Sequence, residues 1–234
     1  MRVISSIYYN VKLQYRHGFY AAYLVVCAVY IGIMLLFSPS IRLFLAPLLV
    51  FSDPAMLGLF FVGGIILMER EEQSLDALMV TPLRPTEYFL AKIVSLTLLA
   101  VLSSLALAVA GSGGFGFSMY LFLPAVLLTS SACIMTGVAV ASRSDSVVSY
   151  IMSVVPITIV MVLPFVDYFG LWTSPWFYLI PTHASLTLIG GSFAAGGVAP
   201  WEIGASVAVL AAWNVGAWFW GDRRFRRHVI EGKE

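Results

Sequence analysis

Residues 68–92, MEREEQSLDALMVTPLRPTEYFLAK, carry eight charged side chains (Glu69, Arg70, Glu71, Glu72, Asp76, Arg84, Glu87 and Lys92) in a chain that is only 11% charged. Carboxylates at such density serve acid–base or metal chemistry when histidines accompany them. Here His17, His183 and His228 are scattered and no HExxH occurs. A glutamate-based membrane protease around Glu71 and Glu72 would need histidines at membrane depth, and the apolar runs contain none. No GxSxG elbow is present, and Ser112-Gly113-Gly114 reads as a tight turn. Without a GxxxxGK[ST] loop the chain lacks the usual means of holding ATP. Cys27 and Cys133 lie in apolar runs with no ligand at metal spacing, so both are expected to be inert buried thiols. No catalytic residue, metal or cofactor is expected in this chain, nor a nucleic-acid partner.

The elements that hold this stretch are membrane elements. With 60% hydrophobic residues and a mean hydropathy of +0.93, the chain departs from soluble domains, which are about 25% charged. Long apolar runs without alternation predict helices rather than a barrel. Six spans are expected, at 19–37, 44–68, 93–111, 120–141, 147–166 and 203–220, within one all-α membrane domain, 1–234. Ser52-Asp53-Pro54 predicts a bend near the outer end of the second. The first run is too long for a signal peptide, and Phe37-Ser38-Pro39-Ser40 offers no small-x-small cleavage site.

Lys and Arg orient the model. With both termini inside, 12 of the 13 basic residues fall in cytoplasmic segments and only Arg42 outside. Residues 1–18 form an amphipathic helix suited to the membrane interface, with Val3, Ile7, Val11 and Tyr15 at every fourth position. Residues 221–234 form a basic cytoplasmic tail. Apart from Asp53, the spans hold no ionisable Asp, Glu, Lys, Arg or His between their ends. Ion-coupled carriers place such groups near the midplane. The energy for uphill transport is therefore expected from another subunit.

The polar stretch is suited to receive it. Its acidic start complements a helix N-terminus, and Leu75, Leu78 and Met79 give one apolar face. Thr81-Pro82 ends this helix, Pro85 opens the next, and Lys92 is expected to snorkel to the inner interface. The acidic charge argues against a helix lying on anionic lipid.

This stretch, with Phe51-Ser52-Asp53-Pro54-Ala55-Met56-Leu57-Gly58 before it and Leu13-Gln14-Tyr15-Arg16-His17-Gly18-Phe19-Tyr20 near the N-terminus, resembles permease subunits of ABC-2 type transporters. It is most similar to fluoroquinolone-exporter-type permeases. The resemblance implies a six-span subunit working with a second copy or a related permease. A separate ABC ATP-binding subunit, which binds ATP and Mg, would drive it. It further implies that segment 69–84 docks on that subunit as a coupling helix, through Glu69, Arg70, Glu71, Glu72, Leu75, Asp76, Leu78 and Met79.

Residues 167–202 are too apolar for a free loop and too broken by Pro and Gly for a span. Their aromatic cluster suits an interfacial belt, and a helix from Pro181 would dip back into the membrane. In the resembled family such a segment closes the pathway outside, which makes Trp176, Tyr178, Pro181 and His183 outer-gate candidates. Gly204, Ala208, Ala212 and Gly216 put a small residue at every fourth position of the last span, a packing stripe for another helix. The expected function is export of a hydrophobic or amphipathic substrate. The alternatives are a permease for lipid-linked, haem-type or other hydrophobic cargo and a non-transporting membrane scaffold or assembly factor.

Overall fold

The computed structural model describes residues 2–16, 18–53, 58–71, 85–194 and 198–225. The chain is all-helical there, without a strand among the described residues. In order come α1 (Arg2–Arg16), α2 (Phe19–Leu35), α3 (Pro39–Ser52), α4 (Gly58–Glu71), α5 (Pro85–Ser112), α6 (Met119–Ala141), α7 (Val147–Val162) and α8 (Pro164–Tyr168). A single 3₁₀ turn (Pro175–Leu179), α9 (Pro181–Phe193) and α10 (Pro200–Phe225) complete it. Proline opens α3, α5, α8, α9 and α10; its fixed φ suits a first turn, where the missing N–H is not needed. The turn after α5 uses Gly113 at φ 71°, and the Ser112 hydroxyl donates to the Gly114 carbonyl at 2.6 Å.

Among the described residues, four helices are long and apolar enough to cross a membrane: Thr86–Ser112, Met119–Ala141, Val147–Tyr168 and Pro200–Arg223. A fifth is added if Asn10–Arg16 and Phe19–Leu35, bent by 70°, count as one span. Gly18, at φ 75°, stands at that bend in the left-handed conformation that glycine adopts freely.

The described residues of the expected second span, 44–68, belong to two helices, α3 and α4, of 14 residues each, or about 21 Å apiece against the ~30 Å of a bilayer core; residues 54–57 lie outside the described ones. Asp53 stands at the C-terminal end of α3. It is fully buried and accepts a hydrogen bond from the Ser103 hydroxyl of α5.

Helix α6 is the axis of the bundle, with 72% of its apolar window buried, against 22% for Val147–Tyr168 and 17% for α10. Two apolar clusters meet on it. One gathers α4 with the start of α5, around Leu59, Ile66, Phe89 and Ile134. The other gathers α3 with α9, around Phe51, Phe122, Leu188 and Ile189. At 13 residues, about 20 Å, α9 is too short to cross, yet most of it is buried. Its Ser192 carbonyl accepts the Ser118 N–H at the head of α6 (2.8 Å), and Ser185 bonds Thr129 further down (2.6 Å). It therefore runs inside the bundle, antiparallel to α6.

The N-terminal segment is helical over Arg2–Arg16 and turns a polar face to the protein. Asn10 and Gln14 are buried, whereas Tyr8 and Tyr15 of the apolar stripe stay exposed.

Candidate functional site

The C-terminal turn of α4 and the first turns of α5 flank residues 72–84, and a buried polar cluster ties them together. Glu69 is 3% exposed and Lys92 1%. The Glu69 carboxylate accepts from both the Lys92 ammonium and the Tyr88 hydroxyl. Tyr88 precedes Lys92 by one helical turn, so both reach the same point; Lys92 Nζ donates to the Tyr88 oxygen at 2.6 Å. Ser95, a turn further on, accepts from Gln14 Nε2 at 3.0 Å and donates to the Lys92 carbonyl, which brings α1 into the cluster. On the other side of α4, the Arg70 guanidinium donates to the Ser144 and Ser142 carbonyls at 3.0 and 3.2 Å. The end of α4 is thereby fastened both to α5 and to the corner between α6 and α7.

Two expectations change here. Lys92 does not snorkel: Glu69 supplies its counter-charge inside the protein, so the ammonium has no need of the interface. Glu69 and Arg70 are spent on internal contacts rather than turned outward as docking groups, while Glu71 is exposed. Glu72, Leu75, Asp76, Leu78 and Met79 lie outside the described residues, as do residues 226–234 of the basic tail.

A second feature is an apolar groove of about 750 Å³ between α6, α7, the start of α9 and α10. Thr136, Pro156, Met161, Pro181, Trp213 and Trp220 are among its walls. The Trp213 indole donates to the Leu179 carbonyl at 2.8 Å, and Asn214 donates to the Leu128 carbonyl at 2.8 Å, which holds α10 in place beside it. The small-residue stripe faces away from the bundle: Gly204, Ala208, Ala212 and Gly216 are all exposed, and Ala212 and Gly216 reach the groove. A Cβ at Gly204 or Gly216 would meet nothing within 4 Å.

The gate candidates separate. His183, in the first turn of α9, pairs through Nε2 with Asp167 Oδ2 at 3.1 Å and packs against Tyr178, the rings tilted by 45° with centroids 4.4 Å apart. Pro181 opens the same helix. Trp176 is 74% exposed and lines neither the groove nor the cavity beside His183. That cavity, about 280 Å³, is lined by Tyr178, His183, Thr187, Trp201, Glu202 and Ser206 among others. Asp167, Trp201 and Glu202 were not singled out from the sequence; the signal was an acid at the end of one apolar run and a Trp-Glu pair opening the next.

A buried ion pair and a short helix sunk among longer apolar ones mark an all-helical, multi-pass membrane protein. The chain belongs to the fluoroquinolones export permease protein family, whose model matches residues 1–233. Two fluoroquinolones export permease proteins of Mycobacterium tuberculosis, from strains CDC 1551 / Oshkosh and H37Rv, are each 30% identical to it over 232 residues, covering 98% of this chain and 97% of theirs.

Proposed function

We propose that this chain is the membrane permease subunit of an ATP-driven exporter. It pairs with a second permease copy, is powered by a separate ABC ATP-binding subunit, and moves amphipathic cargo such as a fluoroquinolone by alternating access. The observation that carries this reading is the state of the membrane charges. Glu69 and Lys92 pair with each other and Asp53 accepts from the Ser103 hydroxyl, so the described helices carry no run of ionisable side chains along the membrane path. Energy then enters at the one long polar stretch, 72–84, whose two flanks the Glu69 cluster holds in register. The apolar groove, within the usual ~300–1,000 Å³ of ligand sites, is the place offered to cargo.

The test is export by inverted membrane vesicles containing the chain and its ATP-binding partner, read by uptake of a fluorescent fluoroquinolone. Uptake that requires both proteins and ATP is expected. Uptake driven by a proton gradient without ATP, or none with both proteins present, would overturn the reading.

The accompanying topology has six crossings with both termini cytoplasmic, α3 and α4 together making the second and α9 re-entering from outside. A cysteine in place of Asp76 is expected to resist a membrane-impermeant maleimide in intact cells and to react once they are opened. Labelling in intact cells would invert the orientation.

A further inference from the structure

The cavity beside His183 lies between α9 and the start of α10, and its wall chemistry differs from that of the apolar groove. We propose that it binds an alkylammonium group, the head of a solute or lipid carrying a quaternary or protonated amine. Glu202 lines this cavity, and its carboxylate has no hydrogen bond or ion pair among the described residues. An acid in the first turn of α10 also suits the helix dipole, but that role does not account for the two large rings placed beside it. Trp201 and Tyr178 line the same space and are 66% and 57% exposed. Aromatic rings next to a carboxylate are the combination that holds an organic cation, the rings through their quadrupoles and the acid through its charge.

The rest of the wall agrees. His183 is anchored by Asp167 at 3.1 Å, which places a second carboxylate behind the imidazole. No Lys or Arg lines the cavity. An anionic ligand would face the Glu202 carboxylate, and a neutral one would leave it unused. At about 280 Å³ the space is near the lower end of small-ligand sites, sized for a head group rather than a whole drug. The inference goes beyond the export reading, because binding here requires neither ATP nor a partner protein.

The experiment uses the full-length chain in nanodiscs of phosphatidylglycerol, which contain no amine head group. Choline is titrated by calorimetry, with 3,3-dimethylbutan-1-ol as its uncharged isostere. Saturable choline binding is expected, with the alcohol weaker by about tenfold or more. Glu202→Gln and Trp201→Ala are each expected to weaken choline by about tenfold, while Glu202→Asp retains most of the affinity and controls for folding. In nanodiscs containing phosphatidylcholine, loss of choline binding assigns the site to a lipid head group and unchanged binding assigns it to free amines; both support the site. Equal binding of choline and the alcohol would overturn the proposal. So would unchanged choline affinity in Glu202→Gln with the parent's thermal unfolding.

Discussion

Lys92→Met is expected to destabilise the folded chain by about 3–5 kcal/mol, because it strands the Glu69 carboxylate inside the protein without its counter-charge. Desolvating two charges is itself expensive, so the pair need not be a net gain over apolar residues of similar volume. The triple replacement Glu69→Leu, Tyr88→Phe, Lys92→Met should therefore recover most of the loss. Reversible unfolding in mixed detergent micelles measures both. A Lys92→Met protein as stable as its parent would show that the ammonium is not held as described. Function separates structural from positioning roles: the triple variant, though folded, should lose most ATP-dependent export. What it lacks is the directional contact that keeps the α4 and α5 flanks of 72–84 in register.

The second large effect is expected where α7 meets the bundle. This helix buries only Tyr150, Val154 and Met161, so its attachment rests largely on Tyr150. The Tyr150 hydroxyl donates to the Leu59 carbonyl, and its ring fills the space left by Gly63. A Cβ at Gly63 would run into that ring. Across the same contact, a Cβ at Gly137 would collide with the Val62 side chain and stand 3.0 Å from the Leu59 oxygen. Gly63→Ala should therefore cost about 1–3 kcal/mol through overpacking, and Tyr150→Ala about 3–5 kcal/mol through the lost ring. The decisive measurement is the pair: in a Tyr150→Leu background the Gly63→Ala penalty should shrink to a few tenths of a kcal/mol. Equal penalties in both backgrounds would mean that the ring and the glycine do not share that space.

Much of the architecture was legible because a membrane helix must satisfy its backbone internally and face lipid with apolar side chains. The continuous runs became α5, α6, α7 with α8, and α10, and Pro181 opened a short helix. What escaped were contacts between distant positions. Glu69 and Lys92 meet across 23 residues interrupted by two prolines, and no periodicity records such a pairing. The charged flank therefore read as an exposed surface when it begins with a buried pair. On α1, the regular Val3–Ile7–Val11–Tyr15 pattern pointed to one face, whereas Gln14 reaches Ser95 from another. Hydropathy does not reveal a buried polar residue whose partner lies on a separate helix. At the His183 cavity, Tyr178 and His183 were legible as aromatic and polar residues in a broken segment, but Asp167 and Glu202 came from neighbouring runs.

Helix α9 has a consequence for biogenesis. Thr182, His183, Ser185, Thr187 and Ser192 make it a poor candidate for lipid on its own, and at 13 residues it is too short to be held across the bilayer. Its shelter is α6, through Thr129 and the Ser118 amide. Because synthesis proceeds from the N-terminus, α6 has left the ribosome before α9 is made. The chain order thus delivers the receiving wall first, and the polar helix enters a place already prepared for its hydroxyls.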